Sequence, residues 1–197
     1  MDAINRRDVV LLMLGTRARG TEEGLNGITR LQKFLYLLEV EEGAGNTPGP
    51  FEFVPYKAGP YSSKLYDDLE FLENVGLLAS EPSGEATEAE AAEVELSFEE
   101  LIGDDSANTT SSIDGGLVSP DAYEERVFRL TDAGKARVQQ LLKSKEYEPV
   151  VAGIRRVKSR FGTYSLNDLL YYVYTKHPEM TTESEIKDKI LRRGRRR

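Results

Sequence analysis

Two helix-period apolar patterns joined through a short strand and a tight turn fill Ile28 to Leu78, and no other stretch limits the folding choices of this chain so sharply. Ile28, Leu31, Leu35 and Leu38 recur at the spacing of one helical face, and Phe34 and Leu37 widen the stripe. Asn26 or Gly27 opens that helix, which runs to about Glu42. Gly43 to Pro50 reads as a loop, and Phe51 to Tyr56 alternates as a short strand. Gly59-Pro60 forces a turn, after which Ser62 or Ser63 can cap a second helix by accepting from its unpaired amides. Leu65, Leu69, Leu72 and Val75 give this second helix one apolar stripe, closed by Gly76 as a left-handed C-cap residue.

Flanking patterns extend the same logic. Asp8 to Gly15 is a short helix ended by glycine. Leu77 to Ser80 and Val127 to Leu130 read as the two strands of a hairpin, followed by a helix that Thr131 caps, with Val138, Leu141 and Leu142 turned inward. Helices are expected at Tyr147 to Phe161 and Ser165 to Lys176, and a last turn or two from Thr182 or Ser184. Between the hairpin strands, residues 81–125 hold 14 Asp or Glu and no Lys or Arg. Their Ser, Thr, Gly, Ala and Glu content predicts disorder over most of the stretch, with Val94 to Phe98 alternating enough for one strand. A long insert at a hairpin tip is tolerable because closure entropy grows only with the logarithm of length. Since the whole chain carries −8, the rest carries 26 basic and 20 acidic groups, or +6. An acidic regulatory segment and a halophilic surface both fit this asymmetry.

At 197 residues the chain is long enough to bury a core without staples. The absence of Cys removes disulfides, thiolate metal sites and a Cys nucleophile, and fits a reducing cytoplasm. The longest apolar run, Val9 to Leu14, falls far short of the roughly 20 residues of a membrane helix, so no membrane contact is expected. The product is read as cytoplasmic. His177 is the only imidazole and reads as a helix-end residue. Glu185-Ile186-Lys187 matches a short acid-x-Lys nuclease fragment, but it lies in a helix-prone tail and not on a strand with a second carboxylate. No cofactor, metal or catalytic residue is assigned, and the chain is not expected to be an enzyme.

Three segments carry a family resemblance: Leu31-Gln32-Lys33-Phe34-Leu35-Tyr36-Leu37-Leu38, Tyr56-Lys57-Ala58-Gly59-Pro60-Tyr61-Ser62-Ser63-Lys64-Leu65-Tyr66, and Leu169-Leu170-Tyr171-Tyr172-Val173-Tyr174 before His177-Pro178-Glu179. Together they resemble the YwgA-like proteins, which are similar to the Panacea or SocA-like antitoxin domains. The phrase Phe128-Arg129-Leu130-Thr131-Asp132-Ala133-Gly134 likewise resembles the exit from a winged-helix wing. The resemblance implies a mainly α (α+β) fold without an active site. Its winged-helix-like core would span residues 1–80 and 126–145 with a short β-hairpin wing. A long acidic insert, 81–125, would sit in the wing, with a C-terminal helical extension at 146–191 and a basic tail at 192–197.

Two binding readings follow. Gly59-Pro60-Tyr61 is either a structural turn or a rigid presenter of Lys57, Tyr61 and Tyr66, Tyr being a favoured interface anchor. The helix after it sits where a recognition helix belongs but carries Asp67, Asp68, Glu70 and Glu73 against Lys64 alone, which repels phosphate. A protein partner, with a toxin among the candidates, is therefore expected at Lys57, Tyr61, Tyr66, Asp67 and Glu70. The alternative is a DNA-binding regulator contacting phosphate through Arg30, Lys33, Arg155, Arg156, Lys158, Arg160, Arg192, Arg193, Arg195, Arg196 and Arg197. That basic tail could equally solubilise the chain or fold back on the acidic insert. Tyr171, Tyr172 and Tyr174 read as core or as the face of a homodimer.

Overall fold

The computed structural model describes residues 5–18, 25–42, 51–82, 126–184 and 186–194. In chain order the elements are α1 (Arg6–Gly15), β1 (Leu25–Asn26), α2 (Ile28–Val40), β2 (Val54–Tyr56), β3 (Gly59–Tyr61), α3 (Ser63–Asn74), β4 (Leu78–Pro82) and β5 (Arg126–Leu130). There follow α4 (Asp132–Leu142), a 3₁₀ turn (Lys145–Tyr147), α5 (Glu148–Phe161), α6 (Leu166–Lys176), a second 3₁₀ turn (Pro178–Thr181) and α7 (Lys187–Gly194). The chain is mainly helical, with two small antiparallel sheets: a three-stranded one ordered β1-β5-β4 and the hairpin β2-β3.

Local chemistry explains most boundaries. Asn5 opens α1 two residues before the expected start, its Oδ1 accepting from the Arg7 amide at 2.9 Å. Gly76, at φ 72°, ends α3, and the Leu77 amide reaches back to the Leu72 carbonyl at 2.9 Å. Thr131 Oγ1 accepts from the Gly134 amide and donates to the Gly76 carbonyl at 2.7 Å, so one hydroxyl caps α4 and fastens it to the end of α3. Leu78 faces Leu130 and Pro82 faces Arg126, the hairpin pairing that the sequence predicts.

Two helices are buried all round. Val9 to Leu14 of α1 and Leu31 to Leu38 of α2 are all inaccessible, so α2 is a central helix and not one with a single buried stripe. It packs on α5 and α6, while α1 packs on α3, α4, α5 and β5. Ile154, Val157 and Phe161 of α5 and Leu169, Leu170, Val173 and Tyr174 of α6 complete one continuous apolar core. Tyr174 is thus interior, and Tyr171 and Tyr172 pack half-buried against that core.

Three expectations are corrected. The strand expected at Phe51 to Tyr56 shrinks to Val54–Tyr56, because Phe51 is buried outside the sheet. The turn expected at Gly59-Pro60 is Lys57-Ala58, and Gly59-Pro60-Tyr61 is the return strand. Ser62 makes no cap bond, since its hydroxyl donates to the Phe51 carbonyl instead. The loop at Gly43 to Pro50, most of the acidic insert including Val94 to Phe98, Glu185 and Arg195 to Arg197 lie outside the described residues. No described helix is long and apolar enough to cross a membrane.

Candidate functional site

Polar groups of α2 hold the β2-β3 hairpin by its backbone. The Ser62 amide donates to Gln32 Oε1 at 2.9 Å, Lys33 Nζ donates to the Pro60 carbonyl at 3.3 Å, and the Phe51 amide donates to Glu39 Oε1 at 2.8 Å. Burial raises the Glu39 carboxyl above its ordinary value, while the Phe51 amide and the Arg6 charge act the other way. The ring of Tyr174 lies so close to Gly59 that a Cβ there would meet Cε1 at 2.9 Å. Gln32, Lys33, Gly59, Pro60 and Tyr174, which come from three separate sequence segments, therefore meet at the base of one hairpin.

That base presents an aromatic ladder. Tyr56, Tyr61 and Tyr66 stack in series with centroids 4.7 and 5.8 Å apart and planes tilted by 36° and 39°. Tyr61 is half-buried between its neighbours, whereas Tyr56 and Tyr66 are 40% and 43% exposed, as is Val54 at 50%. Burial pushes the Tyr61 phenol above its ordinary value, and the nearby Asp67 charge adds to the rise. Tyr66, Glu70 and Glu73 share one stripe of α3, and Asp67 and Glu70 are exposed. Lys57 is half-buried in the hairpin turn. The five residues expected to form a partner face thus lie on the hairpin and the adjoining helix.

Asp68 does not belong to that acidic surface. It is 1% exposed and accepts from Arg6 Nη2 at 3.0 Å and Arg7 Nε at 3.1 Å, with a further bond from Arg6 Nε. Arg7 also lays its guanidinium over Phe71 at 3.6 Å from the ring centroid. A second buried carboxylate, Asp8, accepts from Arg137 Nη2 at 2.9 Å and from the Tyr147 hydroxyl at 2.7 Å, joining α1 to α4 and the turn after it.

Among the described residues named for DNA contact, two are interior and three are engaged by acceptors of the chain itself. Lys33 and Lys158 are 2% and 1% exposed, which removes both from phosphate contact. Lys158 Nζ donates to the Thr16 carbonyl at the C-terminus of α1, and burial pushes its ammonium down to about 8. Arg30 donates to the Tyr164 carbonyl, Arg156 pairs with Glu42, and Arg160 pairs with Glu41 at 2.9 Å. Arg155 and Arg192 are exposed, and the Arg193 side chain is outside the described set with Arg195, Arg196 and Arg197. His177 sits at the end of α6, 3.1 Å from Glu41 and edge-on to Tyr36.

The helical period of α5 carries the signal that separates Lys158 from its neighbours. Val150, Ile154, Val157 and Phe161 form its buried stripe, and Lys158 falls within that arc. Gln32 carried no comparable signal. Among the described residues no group of three or more His, Cys, Asp or Glu is placed to hold a metal. No protein-family model matches the chain, and no curated protein matches it.

Proposed function

We propose that this protein is a non-enzymatic binding module, a regulator or antitoxin-like adaptor that acts through a protein partner held at the β2-β3 hairpin and α3. The observation that carries the reading is the Tyr56–Tyr61–Tyr66 ladder, an exposed aromatic strip on a backbone fixed from below by Gln32, Lys33 and Ser62. Rigid tyrosines give large contact area for little lost side-chain entropy, which is why they serve as interface anchors. The order α1, β1, α2, α3, β4, β5, interrupted by the β2-β3 hairpin between α2 and α3 and with β1 beside β5, supports a winged-helix-like core whose wing is β4-β5. In that frame α3 stands in the recognition position, and its carboxylates favour a protein over a phosphate backbone.

Affinity purification of the full chain under native conditions tests this. A stoichiometric protein retained by the wild type and lost from a Tyr56→Ala/Tyr66→Ala double variant is the expected result. No such protein, together with binding of labelled duplex DNA that weakens steeply with salt, would replace it with the DNA-binding reading.

A further inference from the structure

We propose that the tyrosine ladder takes an arginine-bearing basic segment of the partner, whose guanidinium groups stack on Tyr66, an exposed outer ring of the ladder, and pair with Asp67 and Glu70. The inference rests on the protein-partner reading above and names the chemistry of that partner. Exposed rings alone would accept many apolar groups. The carboxylates flanking them narrow the choice: Asp67 lies close enough to raise the Tyr61 phenol, and Glu70 follows Tyr66 by one helical turn on the same stripe. Glu70 and Asp67, whose charge Arg6 also feels, repel an anionic segment there, so charge complementarity selects a cation.

The molecule contains a template for the contact. One turn along α3, Arg7 spreads over the Phe71 ring at 3.6 Å while its Nε donates to Asp68 at 3.1 Å, so one guanidinium satisfies a ring and a carboxylate of this helix at once. Arg160 repeats the combination elsewhere, 4.9 Å from the Tyr172 centroid and 2.9 Å from Glu41. Tyr66 with Glu70, one helical turn apart and both exposed, offers the same pairing of aromatic face and carboxylate. Arginine fits such a site better than lysine, because its planar, weakly hydrated cation stacks and donates in one plane.

Fluorescence anisotropy with the full chain and labelled nine-residue peptides, one rich in Arg, one in Lys and one in Glu, tests this. The Arg peptide is expected to bind about fivefold or more tighter than the Lys peptide, and the Glu peptide not at all. Tyr66→Ala is expected to weaken the Arg peptide about tenfold, Tyr66→Phe to keep most of the affinity, and Asp67→Asn/Glu70→Gln to weaken it and flatten its salt dependence. Unchanged thermal melting of Tyr66→Ala excludes a folding defect. Equal binding of Arg and Lys peptides, or indifference to Tyr66→Ala, would overturn the proposal and place the peptide on acidic groups elsewhere, such as those of residues 83–125. Self-association abolished by Tyr66→Ala would also overturn it, since the occupant is then a second copy. If a co-purified partner depends on Tyr56 and Tyr66 yet is not displaced by the Arg peptide, the face stands as a partner site and only the arginine chemistry falls.

Discussion

At the scale of single residues, the telling groups are charged side chains that fold inward. Lys158 is buried at the end of α1 with its ammonium lowered to about 8, against about 10.5 when unfolded. Between these values the unfolded chain holds a proton that the folded one has released, so stability is expected to rise with pH across that window, by about 3 kcal/mol from this group. Lys158→Met removes the charge, and its unfolding free energy, measured by denaturant titration from pH 7 to 10, is expected to lack that rise. Parallel curves for the two proteins would show that Lys158 is solvated when folded. Asp68→Ala breaks two pairs at once, but Arg6 and Arg7 can both turn to water. A loss of about 2 kcal/mol is therefore expected, below the range for stranding a fully buried partner. Inspection of sequence assigned Lys158 to a basic surface because it stands among Arg155, Arg156 and Arg160. Helical phase separates it from them, whereas nothing local separates Lys33 from a solvated lysine, because α2 is buried on every side.

At the scale of elements, the hairpin and its supports decide whether the tyrosine face is presented. Gly59 has φ 87°, a backbone conformation that costs an L side chain roughly 1–2 kcal/mol, and any Cβ there would also press on the Tyr174 ring. Gly134 is tighter still: a Cβ would sit 2.0 Å from the Leu77 carbonyl, which is backbone and cannot turn aside. Gly134→Ala is expected to cost about 3 kcal/mol or more by prising α4 from the start of β4, and Gly59→Ala somewhat less. Only Gly59→Ala is expected to weaken partner capture beyond what its stability explains, because it moves the ladder. Equilibrium unfolding alongside the purification assay checks both. The four helices from α3 to α6 and the β4-β5 pairing were legible because each carries its own period, and Thr131 and Ser165 cap α4 and α6. The hairpin turn was misplaced by two residues because Pro60 reads as a turn former. Here Pro55 faces Pro60, so neither strand presents an amide at that pair and proline is harmless in the ladder.

At the scale of the whole molecule, the contacts that matter join elements far apart in sequence, and periodicity does not report them. Gln32 meeting Ser62, Tyr174 under Gly59, and Asp8 between Arg137 and Tyr147 were all invisible to a pattern that scores one helix at a time. Two such contacts make the fold sensitive to alkali. Burial first, then the bond and charge of Asp8, push the Tyr147 phenol up to about 12. Burial, then Glu179 and Glu41, do the same to Tyr36. Because the folded form keeps both phenolic protons while the unfolded chain gives them up from about pH 10, these two residues contribute stability below pH 10 that is lost as pH climbs toward 12. Tyr147→Phe forgoes the hydrogen bond to Asp8, which costs about 1 kcal/mol at neutral pH, but it has no proton to lose. Denaturant unfolding of both proteins from pH 8 to 11.5 is expected to show the wild-type advantage shrinking above pH 10 and then reversing. A constant gap would mean that the phenolate is accommodated beside Asp8. That outcome would require Arg137 to leave Asp8 and turn to the ionised oxygen, loosening α1 from α4 without unfolding either.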